Sequence, residues 1–281
     1  MKPWALVTPA SRGIGLALTR EILRTTTIPV VATARTHIPE TKSKILEGLD
    51  VDEKRLTVLP LDVLDEPSIS RTSTHLSTLY PPSTHSLHLS FLFPGIIHPE
   101  KSPQQIDAEK ALLTFRTNTL GPLLLLKHFS AFLPTKKSLS RQNNGIERGK
   151  ENPDNHNEKE RTGLPNHSTT ALMAARVGSI SDNSLGGWYS YRSSKSGVLQ
   201  IAKTFDNHLK LVSGPNAIAI ALHPGTVKTG LSEEFWASVE RRGGRLFSAE
   251  EAAGNLMRVV VGMSVEGRGR CWDWRGREVR P

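Results

Sequence analysis

The chain has 281 residues, of which 37% are hydrophobic and 22% charged, with a formal net charge of +9 and one cysteine, Cys271. That length suits one large α/β domain or two small ones. No apolar run approaches the ~20 residues of a membrane span, and a lone cysteine excludes an intrachain disulfide framework and fits a reducing compartment. The basic balance raises nucleic acid as a partner, yet the basic residues are scattered. Their densest group (Arg268, Arg270, Arg275, Arg277, Arg280) lies at the C-terminus, without zinc-finger spacing or an aromatic-rich single-strand motif. The same excess attracts an anionic dinucleotide phosphate. A protein without nucleic-acid, membrane or metal partners is therefore expected, and a cytoplasmic one, since the N-terminus runs directly into a strand-like segment with no signal peptide.

Trp4 to Val7 reads as a buried strand. Thr8-Pro9-Ala10-Ser11-Arg12-Gly13-Ile14-Gly15 follows, then the amphipathic run Leu16 to Leu23. In a strand–turn–helix context, such glycines let backbone approach a pyrophosphate, and the helix N-terminus attracts its charge; an ordinary turn without ligand would read the same way. Val30 to Ala34 is a second strand, ending at Arg35 where an NAD-type fingerprint places an acid. Arg12 and Arg35 either clamp a 2′-phosphate or are solvated surface arginines. Leu56 to Leu61 is a third strand, closing on Asp62-Val63; Asp65 to Leu79 has helical spacing; Leu87 to Phe93 is a fourth strand, ending in Pro94-Gly95. Asp107 to Phe132 reads as one long helix carrying Asn118, kinked at Gly121-Pro122.

Thr135 to Thr170 differs in kind: it is rich in Asn, Lys, Glu, Arg and Ser, and its only larger apolar residues are Leu139, Ile146 and Leu164. It reads as a flexible surface insertion, because it has too little to bury to offset chain entropy. Ala171 to Val177 is a fifth strand, Ala217 to Leu222 a sixth, and Cys271 to Trp274 a short last one. Ser248 to Glu251 opens a helix to about Met263 with a capping box. Strands alternating with helices predict a single α/β domain of Rossmann type, a doubly wound parallel sheet with helices on both faces.

Between the fifth and sixth strands, Tyr191 and Lys195 stand four apart, one turn apart on one helix face. A free phenol titrates near ~10. An ammonium beside it favours the phenolate and tunes it to exchange a proton with a carbonyl oxygen as hydride arrives or leaves. Alone, the spacing fits an exposed helix face equally well.

Together these stretches resemble the short-chain dehydrogenase/reductase family, in its C-factor-like and sniffer-type carbonyl reductase branch. The motifs are Thr8 to Gly15, Asp62, Asn118, Val177-Gly178-Ser179-Ile180, Gly186-Gly187-Trp188-Tyr189-Ser190-Tyr191-Arg192, Lys195 and Pro224-Gly225. The resemblance implies NADP(H) as cofactor and a small carbonyl or alcohol as substrate. It implies Tyr191 as acid/base, Lys195 lowering the Tyr191 pKa and binding the nicotinamide ribose, and Asn118 holding a water. Cofactor contacts are implied for Thr8, Ser11, Arg12, Gly13, Ile14, Gly15 and Arg35, for Asp62, Val63 and Gly95, and for Pro224, Gly225, Val227 and Thr229; Thr226 lies in the same loop. A lid is implied over Leu231 to Arg245, which holds Phe235 and Trp236, and a homodimer or homotetramer through the long helices. There are departures: Pro9 replaces a turn glycine, Phe93-Pro94-Gly95 replaces Asn-Ala-Gly, and Ala174-Ala175 stand where the catalytic serine belongs. Ser179 either substitutes for that serine or is an ordinary turn serine. A dinucleotide-binding protein with weakened turnover is the alternative function.

Overall fold

Along the first strand, Trp4 and Leu6 bury into one core while Ala5 and Val7 bury into another. This period-2 alternation with both faces apolar is what a sheet covered on both sides requires. The computed structural model describes residues 1–137 and 163–281. Its strands are β1 (Lys2–Thr8), β2 (Val30–Ala34), β3 (Leu56–Pro60), β4 (His85–Leu92), β5 (Ser168–Met173), β6 (Ala217–His223), β7 (Thr226–Val227), β8 (Leu246–Phe247), β9 (Cys271–Asp273) and β10 (Glu278–Val279). Eight of them form one sheet in the order β10-β9-β6-β5-β4-β1-β2-β3, in which only β10 runs antiparallel to its neighbour. β7 and β8 pair separately as a small parallel ladder.

The helices among the described residues are α1 (Gly13–Thr25), α2 (Ile38–Leu46), α3 (Glu66–Leu79), α4 (Ala108–Phe115), α5 (Gly121–Phe129), α6 (Tyr189–Val212), α7 (Trp236–Arg241) and α8 (Ala249–Val261). Ile69 and Leu76 of α3, Leu125 and Phe129 of α5, and Val198 and Leu209 of α6 pack against Trp4 and Leu6. Leu18 and Ile22 of α1, Ile45 of α2, and Leu256 and Val260 of α8 pack against Ala5 and Val7. The expected doubly wound sheet is thus observed. The order of its strands reverses between β1 and β4, the switch point where open α/β sheets form a crevice.

Three expectations need correction. The fifth strand begins at Ser168 and ends at Met173, with Arg176–Gly178 forming a 3-10 turn instead of strand. Ser168, Thr169 and Thr170 are buried between β4 and β6. β-branched threonines fit a pleated sheet despite their hydroxyls, and a reading based on apolar content passes over them. The expected insertion also ends too late. Leu164 and His167 are buried, and the Pro165 carbonyl lies 2.8 Å from His88 Nε2, so this stretch is part of the core; residues 138–162 lie outside the described residues. Finally, the long helix 107–132 is interrupted at Arg116–Leu120, a π turn closed by Gly121 N–H donating to the Arg116 carbonyl. The irregularity centres on Asn118, not on Gly121-Pro122.

A buried ion pair ties α6 to the sheet edge. Arg268 Nε donates to both Asp206 oxygens at 2.9 Å, its other nitrogens reach the Gly214 and Ala217 carbonyls, and Asp206 also accepts from Ala219 N–H. Three members of the C-terminal arginine group therefore have structural partners: Arg268 on Asp206, Arg270 on Glu278 and Arg275 over the Trp274 ring. Arg268→Leu leaves a fully buried carboxylate with Lys210 Nζ, at 3.6 Å, as its remaining cation, and is expected to lower the unfolding free energy by about 3 kcal/mol. Arg270→Leu, at an exposed pair, is expected to change it by about 0–1 kcal/mol. Urea titration of both variants checks this; equal effects would contradict it.

Candidate active site

The site grows from the C-terminal ends of the central strands. After β1, Thr8 is buried and its hydroxyl accepts from Thr33 Oγ1 at 2.6 Å. Gly13 takes φ +57° and opens α1, and a Cβ there would stand 3.3 Å from Thr229 Cγ2. The loop after β6 therefore closes over the glycine turn. At Gly15 a Cβ would stand 2.0 Å from the Pro9 carbonyl oxygen, so only glycine lets α1 sit this close to the turn. Ile14 packs against Val227, Phe247 and Ala252, which links the turn to the β7–β8 ladder. Ser11 is half-buried beside it. Arg12 and Arg35 flank the turn; both are exposed and neither forms an ion pair among the described residues.

After β3, the Asp62 carboxylate accepts from Leu64 N–H at 3.0 Å, and Val63 packs on Gly121 at the end of the π turn. After β4, a Cβ on Gly95 would stand 3.5 Å from Lys195 Nζ and 3.8 Å from Asn118 Oδ1. These three expected site residues therefore meet. Asn118 is wholly buried. Its Oδ1 accepts from Ile96 N–H at 2.8 Å, and its Nδ2 donates to the Ile96 carbonyl at 2.9 Å and to Ser194 Oγ at 3.0 Å. Ser194 Oγ donates in turn to the Tyr191 carbonyl at 2.8 Å. The π turn aims Asn118 at both β4 and α6, a use that π bulges commonly serve.

Tyr191 and Lys195 lie on the buried face of α6, the Lys195 Nζ 5.8 Å from the Tyr191 ring centroid and donating to the Met173 carbonyl at 2.7 Å. Burial pushes the Tyr191 phenol up to about 12 and the Lys195 ammonium down to about 8. The sequence reading expects the ammonium to lower the phenol. Here desolvation outweighs it, because the ammonium is itself buried and is directed at a backbone carbonyl. At neutral pH Tyr191 is a neutral phenol, able to donate its proton once negative charge develops beside it.

Ser179 is buried, with its Oγ accepting from Asp182 N–H at 3.1 Å and lying 3.2 Å from Ser181 Oγ. Among the described residues no hydrogen bond joins it to Tyr191 or Lys195. Ala174 and Ala175 follow Met173 directly and carry no hydroxyl. After β6, Pro224 is buried, and Gly225 takes φ +78° under the Phe247 and Trp274 rings. The segment 228–245, which holds the expected lid, then runs from β7 to β8 through α7, with the Ser232 hydroxyl donating to the Val227 carbonyl.

One site residue has no sequence signature. Glu100 is buried 90 residues before Ser190, and its carboxylate accepts from the Ser190 hydroxyl and, at 3.4 Å, from Ser190 N–H. A glutamate in a polar loop looks like any solvated charge until α6 is brought over it.

Sheet order and the glycine turn at the switch point define a Rossmann-type fold, with a buried phenol and ammonium at the same end of the sheet. No family model matches the chain. It is 32% identical to the 1-hydroxy-2-glutathionyl-2-methyl-3-butene dehydrogenase of Rhodococcus sp. (strain AD45) over 99 residues, 35% of this chain and only 40% of that relative. It is 26% identical to C-signal of Myxococcus xanthus over 174 residues, 62% of this chain and 80% of that one. Among solved structures, NADPH-bound carbonyl reductase from chicken fatty liver superposes with a TM-score of 0.75 at 23% identity, with 100% of both chains covered. The carbonyl reductase Sniffer of D. melanogaster superposes at 0.74 and 18% identity, covering 100% of this chain and 99% of that one. The chain has the fold of the short-chain dehydrogenase/reductase carbonyl reductases, and the resemblance to that family read from the motifs is borne out.

The glycine geometry makes a paired prediction. Gly15→Ala forces a methyl into the Pro9 carbonyl and is expected to destabilise by about 1–3 kcal/mol. Gly254→Ala, where a Cβ meets nothing within 4 Å on α8, is expected to stabilise by about 0.5–1 kcal/mol. Chemical denaturation of the two variants reads both signs, and a neutral Gly15→Ala would show that the turn is not packed as described.

Proposed function

We propose that the chain is an NADP(H)-dependent oxidoreductase of the short-chain dehydrogenase/reductase type, moving hydride between the nicotinamide and a small carbonyl or alcohol substrate. The observation that carries this is the meeting of Tyr191, Lys195, Asn118 and Gly95 at the switch-point end of the sheet. The residues fit a dinucleotide: the glycine turn after β1 leads directly into α1, whose N-terminus favours a phosphate. Two exposed, unpaired arginines at the ends of the turn and of β2 suit a 2′-phosphate. Proteins of the same fold have been solved bound to NADPH and to NADP. When bound, the cofactor supplies or accepts the hydride.

In this reading Tyr191 donates its proton to the carbonyl oxygen as charge develops there, and takes it back in the reverse direction. Lys195, charged below about pH 8, favours the anion that Tyr191 leaves behind and binds the ribose. Asn118 ties the end of β4 to α6 and so sets the spacing between cofactor and phenol. Asp62, Val63, Pro224, Gly225, Val227 and Thr229 line the cofactor crevice. The chain acts as one domain in a reducing compartment, as a homodimer or homotetramer through its long helices.

A second reading is a dinucleotide-binding protein with weak turnover. It is favoured by the engagement of Ser179 in its own turn and by the two alanines where a serine is expected. In a complete site two donors serve the developing alkoxide, and losing one costs roughly 2.7–4 kcal/mol, a hundred- to thousandfold in rate.

Arg35→Asp is expected to weaken NADPH binding by about tenfold or more while sparing NADH, because a charge-assisted contact contributes roughly 1.5–3 kcal/mol. Isothermal titration of both cofactors checks this; equal affinities in the unsubstituted protein would remove the argument for NADP. Tyr191→Phe is expected to abolish carbonyl reduction and leave the NADPH dissociation constant almost unchanged, whereas Ser179→Ala is expected to leave turnover within a few-fold. A thousandfold loss in Ser179→Ala would reinstate that hydroxyl as a catalytic donor. A protein that binds NADPH yet reduces no carbonyl compound would favour the second reading.

A further inference from the structure

The three residues before α6 have unusual backbone conformations: Gly186, Gly187 and Trp188 all take positive φ, at +64°, +67° and +52°. Glycine adopts this region freely, but a tryptophan does so against a Cβ–carbonyl clash. Such a residue persists only where its surroundings over-determine it. Glu100 supplies much of that restraint. Its carbonyl accepts from Trp188 N–H at 2.6 Å, while its carboxylate accepts from both the hydroxyl and the N–H of Ser190. A Cβ on Gly187 would stand 3.3 Å from the Glu100 carbonyl oxygen, so the loop lies directly on this residue. Arg192 closes the other side, its Nε donating to the Gly186 and Gly187 carbonyls at 3.2 and 3.0 Å. A carboxylate at the first turn of a 24-residue helix is also favoured by the helix dipole.

The conformation fixes where the indole goes. The Trp188 ring stands edge-on to the Tyr191 ring at 6.2 Å and 77°, and lies 4.7 Å from the Phe235 ring of the lid segment. It is half-buried and stands next to the phenol. We propose that Glu100 is a positioning residue that locks the Gly186–Trp188 turn, making Trp188 and Phe235 an aromatic wall beside Tyr191 that selects carbonyl compounds with a flat apolar group next to the C=O. Flat rings stack or pack edge-to-face on such a wall and gain the aromatic pairing energy, which a puckered ring of equal size lacks. This rests on the oxidoreductase reading for the role of Tyr191, but its test does not depend on turnover.

Acetophenone and cyclohexyl methyl ketone match in size and differ in flatness. Their affinities for the full chain with NADPH present can be measured by ligand-observed NMR, alongside kcat and KM. The unsubstituted protein is expected to prefer acetophenone by about tenfold, the size of effect that one aromatic contact gives. Trp188→Gly, which removes the ring and accepts the positive φ without strain, is expected to bring the preference near unity, and Trp188→Phe to retain part of it. Glu100→Ala, which removes the carboxylate bonds to Ser190 but keeps the carbonyl bond to Trp188 N–H, is expected to lose at least half of the preference, through KM more than kcat, while Glu100→Gln, which still accepts hydrogen bonds, keeps it. A purely structural Glu100 would lower the melting temperature and leave the ratio alone. Equal binding of the two ketones by the unsubstituted protein, or a preference that survives Trp188→Gly, overturns the proposal. Selective binding with no reduction of either ketone would count against the oxidoreductase reading and leave the aromatic wall standing.

Discussion

A Cβ on Gly178 would stand 2.7 Å from the Lys195 carbonyl carbon and 2.9 Å from its Cβ, so the turn after β5 and the middle of α6 touch backbone to backbone. The Ser196 hydroxyl donating to the Gly178 carbonyl at 2.6 Å pins the same contact. The contacts of α6 with its neighbours follow from this seat. It lets Lys195 reach the Met173 carbonyl, puts Ser194 within reach of Asn118, and presses Gly197 onto Thr119, where a Cβ would meet the threonine methyl at 2.9 Å. The π turn around Asn118 is then the solution to a fitting problem: one extra residue in the turn turns an amide side chain toward β4 on one side and α6 on the other.

The seat also determines the electrostatics. An ammonium and a phenol buried together without a carboxylate partner cost free energy that an apolar pair would not. The protein keeps both, and their environments move them in opposite directions, the phenol up and the ammonium down. Groups pushed apart in this way are suited to opposite proton roles. The burial of this pair is offset by the two apolar cores on either face of the sheet.

Most of the sheet could be read from apolar runs such as Val30 to Ala34 and Ala217 to Leu222, because buried parallel strands need little else. The Thr8 to Gly15 turn and the Tyr191–Lys195 pair were legible because their chemistry depends on short-range spacing. Features set by long-range packing were not. Thr169 and Thr170 became strand because neighbours on both sides supply ladder partners. Asn118 appeared to sit in a regular helix because a π turn keeps ordinary helical dihedrals, and the nearby Gly-Pro drew attention to the wrong place. Glu100 was invisible because its partner is 90 residues away. The upward shift of the Tyr191 phenol is not legible in the sequence, because spacing shows which charge is near but not how much water is excluded.

The small β7–β8 ladder has an entropic consequence. Thr226–Val227 and Leu246–Phe247 pair with each other, so the 18 residues between them, 228–245, leave and return at one point. A segment whose two ends are held together in this way has already met most of its loop-closure cost. What seats it on the rest of the domain is a small set of local contacts such as Trp188 on Phe235, which can break without unfolding the surrounding structure.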